Sequence, residues 1–82
     1  MRILIIGAGQ VGSTIVEALH AEHDITVIDL DHARLNALAY RFDVVTVEAN
    51  GSSRRALQDA GIGDADLMIA STSRDEANIV AA

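Results

Sequence analysis

Three glycines near the start of the chain have the spacing of a phosphate-binding turn. Gly7, Gly9 and Gly12 form a G-x-G-x-x-G pattern between a short apolar run and a stretch with helical spacing. A strand that passes through such a turn into a helix leaves the first amides of that helix without acceptors. These amides and the helix dipole together attract a phosphate group. The residues predicted to form this anion site are Gly7, Ala8, Gly9, Gln10, Val11 and Gly12.

Gly9, the middle glycine, is the position where a side chain would keep a phosphate away from the backbone. Without a Cβ atom at Gly9, a phosphate can approach the backbone of the turn. The alternative is a tight connection between strand and helix that binds nothing, and the spacing and flanking residues favour the phosphate site.

Asp29 ends the second apolar run of the chain. A carboxylate at this place in a dinucleotide-binding fold accepts hydrogen bonds from the adenosine ribose and repels a 2′-phosphate, so it favours NAD over NADP. The alternative role for Asp29 is the N-cap of the next helix, for which Asp31 is better placed. Arg34 could instead neutralise a phosphate, but we expect it on the exposed face of that helix, paired with Asp31.

Polar residues after the third and fourth predicted strands complete the candidate site. The hydroxyls of Thr72 and Ser73 follow the fourth strand and would reach the phosphates or the second ribose of a dinucleotide. Capping of the next helix is the alternative role for Ser73. Asn50 would lie at the adenine edge, or serve as an ordinary turn residue before Gly51.

The elements that must position these residues alternate between strand and helix. Continuous apolar runs predict buried parallel strands, and apolar residues at helical spacing predict the helices between them. This pattern predicts a Rossmann-like three-layer α/β fold with a parallel sheet, strand order 3-2-1-4 and a ligand crevice between strands 1 and 4. The predicted strands cover residues 3–6, 25–28, 44–47 and 66–70, and the predicted helices cover 10–21, about 31–42 and 54–60, the last one stopped by Gly61.

The last residues predict a fourth helix. Ser73 and Glu76 form a capping-box pattern, so this helix would begin near Arg74 and contain residues 79–82. Strand 4 would then be an exposed sheet edge, which favours a homodimer or a larger assembly. Alternatively, the single domain of residues 1–82 is part of a longer chain, because the fifth and sixth strands of a full doubly wound sheet are missing.

Composition excludes several other functions. The chain has 82 residues, a net charge of −6 and no cysteine, so we expect neither nucleic-acid binding nor thiolate metal sites nor disulfides. No acid–base pair accompanies His20, His23 or His32, and we predict no catalytic and no metal-binding residue. The first apolar run is too short for a signal peptide or a membrane span, so we expect a cytoplasmic protein.

Several segments together resemble the N-terminal nucleotide-binding domain of Trk-type potassium-uptake regulators, the RCK or KTN family. The most discriminating segment is the Asp75-Glu76-x-Asn78 ending after strand 4. The chain departs from the family pattern where Ala49-Asn50-Gly51 replaces the usual Gly-Asp-Ala. The segments that carry the resemblance are residues 1–12, 24–31, 57–61, 64–66 and 72–78.

The resemblance implies a regulatory domain and not an enzyme. It implies NAD, as NAD+ or NADH, or else ATP or ADP, as the ligand. Residues 7–11 would hold the diphosphate, Asp29 the ribose, and Thr72 and Ser73 the far side of the dinucleotide. The implied partner is a potassium channel or transporter subunit in the membrane, at whose inner face the domain would lie. The alternative is the cofactor-binding half of an NAD-dependent oxidoreductase, since this fold serves many chemistries.

Overall fold

One sheet organises the chain. The computed structural model describes residues 1–50, 53–71 and 77–81, with only the main chain at 71 and 77–81. The strands of this part are β1 (Arg2–Ile6), β2 (Asp24–Asp29), β3 (Val45–Glu48), β4 (Leu67–Ser71) and β5 (Ala77–Ala81). The helices are α1 (Gln10–Leu19), α2 (His32–Arg41) and α3 (Arg54–Asp59), followed by a short 3₁₀ turn, Ile62–Asp64.

The sheet confirms the predicted parallel order. Its strands lie in the order β3-β2-β1-β4-β5, and the first four are parallel. β1 therefore lies at the centre, with β2 on one side and β4 on the other. This is the order of a Rossmann-like α/β fold, and the order in which successive strands are added reverses between β1 and β4, as predicted. The observed boundaries differ from the predicted ones by one or two residues.

The prediction of a fourth helix is wrong for residues 77–81. These residues form β5, which pairs with β4 in antiparallel register from Leu67↔Ala81 to Ser71↔Ala77. The edge of β4 offers a row of unpaired backbone groups, and the β-branched residues Ile79 and Val80 have high strand propensity. The predicted start of that helix, at residues 73–76, lies outside the described residues. Because β5 covers the edge of β4, the reason for expecting a homodimer at that edge no longer holds.

Aliphatic side chains fill the space between the sheet and the helices α1 and α2. Ile5 and Val27 are completely buried on neighbouring central strands, and Val16 of α1 is completely buried against them. Alternate residues of the same strands, such as Leu4 and Ile28, point to the opposite face and are also buried. A right-handed crossover from β3 to β4 places α3 on that second face. The cluster on the first face contains Ile3, Ile5, Ala8, Val16, Ile25, Val27, Leu35, Leu38 and Ile69.

Local capping fixes where α2 and α3 begin. The Asp31 side chain accepts hydrogen bonds from the amides of Ala33 and Arg34, as predicted for the N-cap of α2. Ser53 caps α3 by accepting from the Ala56 amide at 3.3 Å. The N-cap of α1 is Gly9, which makes no side-chain hydrogen bond. The first turn of α1 is thus the one helix start of these three without a side-chain cap.

A cavity at Ile5 should destabilise the chain much more than the loss of a surface ring. Ile5→Ala removes a completely buried side chain from the central strand, and we expect it to lower the free energy of unfolding by about 2–5 kcal/mol. Tyr40→Ala is the control, because Tyr40 is 93% exposed, and we expect a change within about 0.5 kcal/mol. Urea denaturation followed by circular dichroism measures both. Equal effects of the two substitutions would contradict the assignment of the core.

Candidate functional site

The glycine turn joins the carboxyl end of β1 to the start of α1. The Gly7 amide donates to the carbonyl of Ile28 at 2.7 Å, which extends the β1–β2 pairing by one residue. Gly7 then adopts φ +105°, a conformation that L-residues with a side chain rarely adopt. Gly9 has ordinary extended dihedral angles, φ −73° and ψ −165°. The sharp change of direction is therefore made at Gly7.

The first amides of α1 have no hydrogen-bond acceptor among the described residues. Within the part of the chain that the structure describes, no acceptor bonds to the amides of Gln10, Val11 or Gly12, and the first intrahelical bond of the turn runs from Ser13 to the Gly9 carbonyl. No acidic residue of α1 itself occupies this first turn, and the positive end of the helix dipole favours negative charge there. An open hollow of about 360 Å³ lies along one side of α1 and is lined by Gln10, Val11, Thr14 and Ile15.

Asp29 binds the turn from the neighbouring strand. One of its carboxylate oxygens, Oδ2, accepts from the Ala8 amide at 2.6 Å, and the other, Oδ1, accepts from the Asp31 amide at 2.7 Å. The carboxylate thus connects the end of β2 to the glycine turn and to the start of α2. The alternative role as the N-cap of α2 is wrong, because Asp31 occupies that position. Sequence reasoning missed the bond to Ala8, since nothing in a local pattern joins residues that are 21 positions apart.

Asp29 still has acceptor capacity for a ligand. A carboxylate has about four lone-pair directions, and one amide occupies each of its two oxygens. The side chain is half-buried at the same sheet edge as the glycine turn. The predicted contact with ribose hydroxyls is compatible with this geometry and stays a prediction.

Arg34 lies closer to the turn than the sequence indicates. Its predicted pairing with Asp31 is confirmed, with 3.5 Å between Nε and Oδ2, and its side chain is 55% exposed. The terminal Nη1 atom, however, reaches to 3.9 Å from the point where a Cβ atom of Gly9 would stand. A guanidinium group therefore lies beside the predicted phosphate position. The sequence signal was only an arginine in the first turn of the second helix.

The remaining predicted ligand contacts involve Thr72, Ser73 and Asn50. Thr72 and Ser73 lie outside the described residues. Asn50 is exposed after β3, and its carbonyl accepts from the Ser53 amide at 3.0 Å, as expected for a turn residue. Its contact with an adenine stays a prediction.

The histidines have local structural contacts. The His20 ring lies 4.7 Å from the Phe42 ring, between centroids. His32 lies at the start of α2, where its Nδ1 is 3.5 Å from a carboxylate oxygen of Glu48 and its Nε2 is 3.0 Å from the side-chain nitrogen Nδ2 of Asn36. The Nδ1 atom of His23 is buried without a partner among the described residues. No three potential metal ligands lie together among the described residues.

A second cavity lies at the opposite edge of the sheet. Its volume is about 400 Å³, and it is bounded by the amino ends of the parallel strands. Charges of both signs line it, from Arg2, Asp24, Asp43 and Asp64. Among its described lining residues there is no N-terminus of α1, α2 or α3, whereas the N-terminus of α1 lies at the carboxyl edge.

The described helices are also too short to cross a membrane; the longest, α1 and α2, have 10 residues each.

Comparison with known sequences identifies the family. The sequence profile of the TrkA-N domain matches residues 3–82, which is almost the whole chain. The chain belongs to the TrkA-N family. Proteins called "Trk system potassium uptake protein TrkA" are similar to it across this TrkA-N domain: that of Halomonas elongata is 50% identical over 82 residues and that of Haemophilus influenzae 48% identical over 82 residues. An archaeal protein of Pyrococcus abyssi, called a TrkA homolog, is 33% identical over 82 residues.

The TrkA-N domain makes up only part of these relatives. The matched residues cover 99% of this chain, but 18% of the two bacterial proteins and 36% of the archaeal one. The activity, ligand and partners of the longer proteins therefore apply to this chain only as proposals.

The backbone at the turn should tolerate a methyl group at Gly9 but not at Gly7. Gly7→Ala places a side chain at φ +105°, so we expect it to lower the free energy of unfolding by about 1–3 kcal/mol. Gly9→Ala adds a Cβ atom whose nearest neighbour, Arg34 Nη1, is 3.9 Å away, and we expect a change within about 0.5 kcal/mol. Chemical denaturation measures both. If Gly7→Ala were as stable as Gly9→Ala, the turn would not have the described geometry.

Proposed function

We propose that the chain is a regulatory domain of a potassium uptake system that binds NAD(H) or another adenine nucleotide. The observation that carries the proposal is the arrangement at the carboxyl edge of the sheet. Open amides of Gln10 and Val11 stand at the positive end of α1, and the Asp29 carboxylate lies at the end of the adjacent strand. The amides suit a diphosphate, and the carboxylate suits the hydroxyls of the attached ribose.

The residues fit the ADP moiety that NAD+, NADH, ATP and ADP share. Residues 7–12 would hold the diphosphate, because Gly9 has no Cβ atom and only the Arg34 guanidinium, among the described residues beyond its chain neighbours, comes within 4 Å of that position. Asp29 would hold the adenosine ribose. Thr72 and Ser73 would hold the far side of a dinucleotide. NAD in either redox state is our first choice because of the acid at position 29.

Regulation would follow from differential affinity. A nucleotide that binds one arrangement of the complex more tightly than another shifts the population towards that arrangement. The relatives in Halomonas elongata and Haemophilus influenzae are named for potassium uptake, which supports an ion-conducting membrane subunit as the partner. The domain would then lie at the cytoplasmic face of the membrane, would gate that subunit and would not be an enzyme. A homo-oligomer stays a prediction, without the support of a free β4 edge.

A larger side chain at Gly9 should weaken nucleotide binding. We expect the wild-type chain to bind at least one of NAD+, NADH, ATP and ADP in calorimetric titrations. Gly9→Val fills the position that a phosphate would approach, and we expect it to weaken this binding by about tenfold or more. Gly63→Val is the matched control, since a Cβ atom at Gly63 meets nothing within 4 Å and this residue precedes β4 at the other edge of the sheet. Normal binding by Gly9→Val would exclude the turn as the phosphate site.

Asp29 should control the choice between NAD+ and NADP+. Because Asp29 also holds the Ala8 amide, Asp29→Ala should reduce the affinity for both ligands through the geometry of the turn. If Asp29 also faces the ribose, the loss of its charge removes repulsion of the 2′-phosphate, and we expect the ratio of the two affinities to shift towards NADP+ by about tenfold. Equal loss of both affinities would show that Asp29 acts on the turn alone.

A further inference from the structure

Arg34 has a position that neither its helix nor its ion pair explains. It lies in the first turn of α2, yet its guanidinium extends back over the glycine turn, where Nη1 is 3.9 Å from the Cβ position of Gly9. In the described part of the chain, no hydrogen bond or ion pair involves this Nη1 group. A guanidinium has five N–H donors, and its planar shape matches two oxygens of a phosphate.

The partner that now holds Arg34 is easily exchanged. The Asp31 carboxylate contacts only Nε, at 3.5 Å, and the two side chains are 55% and 48% exposed. Exposed ion pairs of this kind contribute little to stability because water and salt screen them. A ligand phosphate at the open amides of α1 would offer a second anion on the Nη side of the same guanidinium.

Asp31 divides its two oxygens between two tasks. Its Oδ1 accepts from the amides of Ala33 and Arg34 and so caps α2, while its Oδ2 faces the guanidinium of Arg34. The cap can therefore be kept while the charge that competes for Arg34 is removed. Asparagine at this position would do so, because it is as good an N-cap as aspartate.

We propose that Arg34 is a specificity-determining residue that exchanges Asp31 for a phosphate of the ligand and thereby makes the site prefer adenine nucleotides with two or more phosphates. The proposal rests on the proposed function, because it requires that the nucleotide binds at the glycine turn. A single phosphate would be satisfied by the amides of α1. A further phosphate adds charge that these amides do not neutralise, and the guanidinium lies beside it.

The test compares ADP, AMP and adenosine in calorimetric titrations of the wild-type chain and its variants. We expect Arg34→Gln to weaken ADP binding by about tenfold or more, AMP binding by less, and adenosine binding not at all. Arg34→Lys keeps the positive charge but not the planar shape of the guanidinium, so we expect its ADP affinity to lie between those of wild type and Arg34→Gln. Arg41→Gln is the control for net charge, because Arg41 lies at the other end of α2, over the ring of Phe42.

Asp31→Asn should raise the affinity for ADP, whereas Arg34→Gln should lower it. With the cap retained and the competing charge gone, we expect ADP affinity to rise by about twofold to tenfold, and this gain to disappear in the double variant with Arg34→Gln. Circular dichroism confirms that each variant is folded.

If wild-type and Arg34→Gln chains bind ADP equally, the Arg34 proposal is overturned and the proposed function stands. If the wild-type chain binds none of the adenine nucleotides, both are overturned.

Discussion

The carboxylate of Asp29 is the interaction on which the geometry of the carboxyl edge depends. It accepts the Ala8 amide with one oxygen and the Asp31 amide with the other. Three parts of the chain meet at this one side chain: the end of β2, the turn after β1 and the residue that caps α2. Hydrogen bonds to a charged acceptor are worth about 1.5–3 kcal/mol each. The turn is therefore held in shape by the protein itself, without requiring a ligand to order it.

A net charge of −6 does not exclude the proposed binding of an anion at this turn. Charges on the far surface are screened by salt within about 10 Å, so the local groups decide. Locally, Asp29 is already engaged by two amides and Asp31 by two amides and Arg34. At the turn itself, the amides of α1 and the outer edge of the Arg34 guanidinium favour negative charge, while the remaining lone pairs of Asp29 can accept only from donors such as hydroxyl groups.

Local sequence patterns predicted the parallel part of the fold and the Asp31 cap well, because apolar periodicity and capping are properties of neighbouring residues. The end of the chain shows the limit of such patterns. Residues 77–81 have a composition that suits a buried helix or a strand, and pairing with β4 decides for the strand. The two contacts that shape the candidate site were missed for a similar reason. Ala8 to Asp29 and Gly9 to Arg34 are brought together only when β1 and β2 pair side by side.

The open groups at the start of α1 are peptide N–H groups, and peptide groups do not ionise in the range of pH that cells experience. A fall in pH changes the charge of ionisable side chains, but it would leave the amide hydrogens of Gln10 and Val11 in place. The attraction of this helix end for anions is consequently constant while the proton concentration changes. Any sensitivity of ligand binding to acid would originate in ionisable side chains around the turn or in the ligand itself.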